Sequence, residues 1–240
     1  MEYFFLRLNI LRNWLKNRDT PPVSGFFLKW RQFENWNGRR FLYRAIAVFL
    51  LVLGHTTPVL AGNQKEEAMA DSVRLALSKA ITDAAPPKPR FNNIEDRIQY
   101  LNWLGEMSSR LKRRIPDFRT RVELLETIWY EARRAGLEPA LVLGLIQVES
   151  AFRKYATSVV GARGYMQVMP FWTRVIGDGD AKKLFQMQSN LRYGCSILRM
   201  YIDMENGDLY LALGRYNGSR GRPEYPKAVL ANWKHWEYKK

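Results

Sequence analysis

Glu149 stands in the stretch LIQVESAF, residues 145–152, among side chains with little affinity for a charge. At about 100° per helical residue, Glu149 falls within about 60° of Val142, Leu145 and Ile146. Leu141, Val148 and Phe152 widen that apolar face, while Gln147 and Ser150 turn away from it. An ionised carboxylate placed there loses its water without gaining a partner, so the group raises its pKa and keeps its proton near neutral pH. A carboxylic acid held in that form can protonate a leaving oxygen as a glycosidic bond breaks, which is general acid catalysis. The spacing also allows a plainer arrangement. If the helix runs on, Arg153 lies one turn away and forms a surface pair worth about 0.3–0.5 kcal/mol.

Other chemistries lack their residues. The chain has one cysteine, Cys195, and two histidines, His55 and His235, far apart in sequence, which excludes an intramolecular disulfide and offers no usual zinc ligand set. No metal or cofactor is expected. Cys195, between Gly194 and Ser196 in a helical pattern, reads as a packed, unreactive thiol. Ser150 has no candidate base beside it and reads as structural. Residues 150–177 contain no Asp or Glu, and the next acids, Asp178 and Asp180, lie in a Gly-Asp-Gly-Asp turn that reads as exposed loop.

The elements that must position Glu149 are helical. Pro139 suits the first turn of its helix, and Ala135-Gly136 ends the one before, which Asp117 caps and Val122, Leu125, Ile128 and Trp129 stripe. Upstream, Ile98, Leu101, Leu104, Met107 and Leu111 recur at helical spacing over 94–114, closed by Ile115-Pro116. Further helices are expected over 171–176, 189–204, 208–215 and 225–236. Residues 65–84 carry Met69, Val73, Leu77 and Ile81 along one stripe before PPKP at 86–89 breaks it. With no convincing hairpin or internal repeat, a mainly α single domain is the economical reading. Its boundaries are a leader over 1–61, a short helix and proline linker over 62–90, and a main domain over 91–240.

The leader has a secretory arrangement: Arg39, Arg40 and Arg44, an apolar run from Ala45 to Leu53, then Val59-Leu60-Ala61. Cleavage is expected after Ala61, which places the product in the periplasm. Left uncleaved, the run would serve as a poor membrane anchor. Asn63 occupies the place where a lipid-bearing cysteine would stand. Nine basic residues against three acidic over 1–61, and 29 against 20 over 62–240, make both parts positive and favour polyanionic partners. A nucleic-acid partner would need a cytosolic chain and conflicts with the leader. Eight Trp serve either a core or stacking on flat sugar faces.

Three segments in order, LIQVESAF (145–152), GARGYMQVMP (161–170) and LALGRYNGS (211–219), resemble the lytic transglycosylase catalytic (SLT) domain family of the goose-type lysozyme-like superfamily, over Thr127 to Trp236. The resemblance implies a lysozyme-like helical fold and one catalytic carboxylate, Glu149, cleaving the bond between N-acetylmuramic acid and N-acetylglucosamine with formation of a 1,6-anhydro ring. It also implies a substrate cleft lined by Ser150, Gly164, Tyr165, Met166, Gln167, Tyr216 and Asn217, with Tyr216 hydrogen-bonded to Glu149 and Gly161 shaping the turn. Without it, Tyr216-Asn217-Gly218 reads equally as a helix C-cap. RKYATSVV after Phe152 departs from the family's usual Asn-Pro-x-Ala, and Gly144 replaces a frequent Ala at about 1 kcal/mol of helix propensity. The expected partner is the glycan strand of peptidoglycan, cut by a monomer in general turnover or for a secretion or conjugation apparatus. The competing readings are a muramidase of the same fold and a non-catalytic wall-binding component.

Overall fold

The computed structural model describes residues 64–82 and 89–238. The leader over 1–61, its cleavage site and residues 86–88 of the proline break lie outside the described residues. Within them the helices are α1 (Asp71–Thr82), α2 (Ile94–Leu111), α3 (Phe118–Arg134), α4 (Pro139–Ser150), α5 (Phe171–Ile176), α6 (Met187–Met204), α7 (Leu209–Asn217) and α8 (Glu224–Trp236), with a 3-10 turn, Ala181–Phe185, between α5 and α6. Pairing is confined to isolated bridges of Arg163 with Thr157 and Val168, so the mainly α expectation holds. Among the described residues no helix is long and apolar enough to cross a membrane.

Local chemistry sets the boundaries. Asn93, Asp117 and Asp208 cap α2, α3 and α7 by accepting from the backbone N–H groups of Asp96, Thr120 and Leu211. Pro139 opens α4 as expected. The N-terminal helix starts later than its stripe suggests: residues 64–70 are not helical, and their side chains are used in contacts with the main body. The α2 stripe is also only half buried. Met107 and Leu111 are in the core, but Ile98 and Leu101 are exposed, because Tyr100 and Trp103 turn inward to pack with Phe91 and Trp129.

Helix α4 is buried on nearly every side from Pro139 to Ile146, the condition of a helix at the centre of a domain. Helix α8 lies directly against it. A Cβ at Gly144 would sit 2.6 Å from the Trp233 backbone nitrogen, so the glycine that weakens the helix is what lets the two backbones meet. Helices α3 and α6 are joined by a buried pair in which Arg192 donates through Nε and Nη2 to Glu131. Cys195, on α6, is buried with its thiol pushed well above the usual range by desolvation, and its Sγ lies 4.0 Å from Met166 Sδ.

Helix propensity alone would make Gly144→Ala stabilising by about 1 kcal/mol. The close approach of α8 reverses the sign. Denaturant unfolding is expected to show a loss of roughly 2 kcal/mol or more.

Candidate active site

Helix α4 carries Glu149 in its last turn, with the residue 5% exposed. The Tyr225 hydroxyl, from the first turn of α8, donates to Glu149 Oε1 at 2.5 Å. Glu149 Oε2 is buried and has no hydrogen-bond partner. Desolvation raises the pKa of this carboxyl to about 8, against the opposing pull of the Tyr225 hydrogen bond, and among the described residues no charged group adds to the shift. At neutral pH the group therefore keeps its proton. With Oε1 accepting from Tyr225, Oε2 is the atom that carries it. Tyr216 and Tyr225 share this dry surrounding: both phenols are pushed well up, first by burial and then by the charge of Glu149.

The surface pair with Arg153 does not form. Helix α4 stops at Ser150 because Ala151 and Phe152 take positive φ angles of 49° and 66°. Such conformations cost non-glycine residues energy and persist where packing fixes them. Here Phe152 is buried against Trp236, and Arg153 Nε donates to the Ser150 carbonyl.

The loop between α4 and α5 is folded back on Asn190 of α6. Asn190 Oδ1 accepts from Met166 N, and its Nδ2 donates to the Arg163 and Leu184 carbonyls. Gly164 has a φ of 75°, and a Cβ there would stand 2.4 Å from Asn190 Nδ2, so the clasp requires glycine. Met166 packs against Gly194, which leaves no room for a side chain at 194. Gln167 donates through Nε2 to the Ala156 and Gly164 carbonyls.

Tyr216 donates to the Met166 carbonyl at 2.8 Å, so the hydroxyl on Glu149 is that of Tyr225. Ser150 Oγ donates to the Ile146 carbonyl. Tyr165, Met166, Gln167 and Tyr216 are all buried. Gly161, also at positive φ, turns the loop at its edge. Asn217 closes α7, its Nδ2 donating to Ser219 Oγ and its Oδ1 buried without a partner; Gly218 follows in the left-handed region, so the C-cap reading of this stretch also holds. Asp178 and Asp180 are exposed as expected. Sequence reasoning missed Tyr225 and Asn190. Tyr225 shows in sequence only as a tyrosine before Pro226 at a helix start, and Asn190 as a polar residue in a helix whose other buried positions are mostly apolar.

Residues 126–234 match the family model described as "Transglycosylase SLT domain". Among curated proteins, the chain is 42% identical over 85 residues to "Membrane-bound lytic murein transglycosylase C" of Actinobacillus pleuropneumoniae serotype 5b (strain L20), covering 35% of this chain and 22% of that protein. It is 33% identical over 114 residues to "Transglycosylase" of Enterobacteria phage PRD1, covering 45% of this chain and 42% of that one. The chain thus spans less than half the length of these relatives. A solved structure of an inactive mutant of lytic transglycosylase Slt from Pseudomonas aeruginosa aligns with a TM-score of 0.44 and 19% identity, over 72% of this chain and 38% of that one.

Two measurements test the carboxyl. Unfolded Glu149 ionises near 4.5 and the folded residue near 8, so the folded state binds more protons between these values and loses stability as pH rises through them. Glu149→Gln removes that titration, and its stability relative to the parent is expected to rise by about 4 kcal/mol from pH 4.5 to 8, read by denaturant unfolding. Tyr225→Phe removes the hydrogen bond that favours the carboxylate. A carbon-13 titration of the Glu149 carboxyl is expected to move further up, and a downward shift would contradict the geometry.

Proposed function

We propose, on the premise that residues 126–234 carry a transglycosylase SLT domain, that the chain is a peptidoglycan lytic transglycosylase with Glu149 acting first as acid and then as base. The observation that carries this reading is one carboxyl group whose Oε1 is held by Tyr225 while Oε2, buried and unpartnered, keeps a proton up to about pH 8. Oε2 gives that proton to the oxygen between N-acetylmuramic acid and N-acetylglucosamine as the bond to C1 breaks. The muramic N-acetyl oxygen stabilises the developing charge at C1, a role that otherwise falls to a second carboxylate. Now ionised, Glu149 takes the proton of the muramic C6 hydroxyl, whose oxygen bonds to C1 and closes the 1,6-anhydro ring. No water is consumed, and the acid is restored.

The two halves of the cycle make opposite demands. Burial favours the neutral form needed at the start, and the Tyr225 hydroxyl steadies the carboxylate formed in between. Among the described residues no other carboxylate adds to the shift of Glu149, which supports the single-acid route over a two-carboxylate hydrolase. Buried as they are, Ser150, Tyr165, Met166, Gln167, Tyr216 and Asn217 act on the glycan by fixing the shape of the loop and of the wall beside the acid, and Gly164 lets the backbone turn there. In the same reading the leader exports the chain, cleavage after Ala61 frees it in the periplasm or its retention anchors it, and a positive surface meets the anionic wall. The monomer cuts glycan strands for general turnover or to open a gap for a secretion or conjugation apparatus.

Digestion of purified peptidoglycan followed by mass analysis is expected to yield muropeptides with anhydro ends, one water lighter than hydrolysed ends. Glu149→Gln is expected to slow their release by at least about 100-fold. Hydrolysed ends alone would make the protein a muramidase, and undiminished release by the variant would remove Glu149 as the acid.

A further inference from the structure

Gln64 is a polar residue from outside the main helical body, yet it is 4% exposed. Its Oε1 accepts from Trp172 Nε1 at 3.0 Å and from the Met169 backbone N–H at 3.3 Å. Two donors thus converge on one carbonyl oxygen, both from residues at or just after the GARGYMQVMP loop. Nε2 of the same amide is buried and unpartnered. The Gln64 amide also neighbours the Tyr216 hydroxyl, and Tyr216 shares its buried surroundings with Glu149. Three residues on, Glu67 pairs with Arg215 at 2.7 Å, next to Tyr216 on α7. Cavities of about 850, 780, 330 and 310 Å³ open elsewhere on the described residues, and none of these four is lined by Glu149.

We infer that residues 64–67 form a strap that competes with the glycan, the Gln64 side chain occupying a subsite for the acetamido group of an N-acetylated sugar. This rests on the glycan-cleaving reading above. A side-chain carboxamide and an acetamido group are both planar and both present a carbonyl oxygen, which is what the Trp172 and Met169 donors engage. They differ at the other end. Gln64 places a doubly protonated nitrogen beside the Tyr216 hydroxyl without completing a full hydrogen bond to it, and a buried donor left so is costly. An acetamido group can put its methyl there instead. Gln64 is therefore a weaker occupant than the sugar it imitates, as a displaceable one must be. The Glu67–Arg215 latch is half exposed on the glutamate side and easily broken. Once released, the strap stays tethered through α1, whose Leu77 is buried in the core. A closed strap lowers apparent glycan affinity by the fraction of molecules that hold it open.

The test uses the full chain and tri-N-acetylchitotriose, a neutral N-acetylated sugar, with its fully deacetylated counterpart as control. Calorimetry is expected to show Gln64→Ala binding the acetylated trimer at least about 5-fold more tightly than the parent, Glu67→Gln shifting the same way by less, and the deacetylated trimer unaffected. Equal or weaker binding by Gln64→Ala would reduce Gln64 to a support for Trp172 and overturn the competition. Should Gln64→Ala fold poorly, the parent answers the same question: saturating trimer is expected to move the Trp172 indole N–H resonance and expose the Gln64 amide to exchange. Unchanged protection of that amide overturns the inference. Trimer binding that is indifferent to Gln64, with anhydro products still released from peptidoglycan, defeats the strap alone. No binding by any form together with no products defeats the glycan-cleaving reading as well.

Discussion

A carboxyl group stripped of water, with one oxygen fixed by a tyrosine and the other buried without a partner, sets the terms for everything around Glu149. Neutrality of the acid depends on desolvation, and desolvation depends on α4 being enclosed. Enclosure in turn depends on Gly144, since only a missing side chain lets α8 approach closely enough to cover α4 and deliver Tyr225. The left-handed pair Ala151-Phe152 belongs to the same requirement. By ending α4 one residue past the acid, it turns the chain away before Arg153 could stand one turn above Glu149 and favour the charged form.

Much of this scaffold was legible in the sequence, for reasons that are local. Asp117, Pro139 and Gly136 mark helix ends through the hydrogen bonds and φ angles of single residues, and α3 begins and ends, and α4 begins, within a residue or two of where these signals put them. The burial of Glu149 followed from its neighbours on the helix, because an apolar face has only one direction to point. Less legible were features decided between elements. Tyr216 and Tyr225 both carry hydroxyls near the end of the chain, and only the crossing of α7, α8 and the Met166 loop determines which one reaches Glu149. Gly144 looked like a defect in a helix, since propensity counts one helix at a time. Ile98 and Leu101 fitted a core stripe, yet the aromatic contacts of Tyr100 and Trp103 turned that part of α2 the other way.

The loop that follows the acid shows how a small number of polar atoms can replace regular structure. With only isolated bridges of its own, it takes its shape from Asn190, whose single amide serves three backbone groups. Tyr216 adds a fourth fixed point at the Met166 carbonyl. Buried polar networks of this kind hold a backbone firmly when every member is satisfied. They also tie several residues expected to line the cleft into bonds within the protein.

The same packing has a consequence for the sulfur chemistry of the chain. Its one cysteine lies sealed in α6 against Met166, under the loop, with a thiol that burial keeps from ionising. Alkylating reagents and oxidants act on the exposed thiolate, so they meet this sulfur only when α6 separates from its neighbours. The folded protein thus carries a single internal clock for its own opening, one whose rate of labelling counts how often the centre of the domain comes apart.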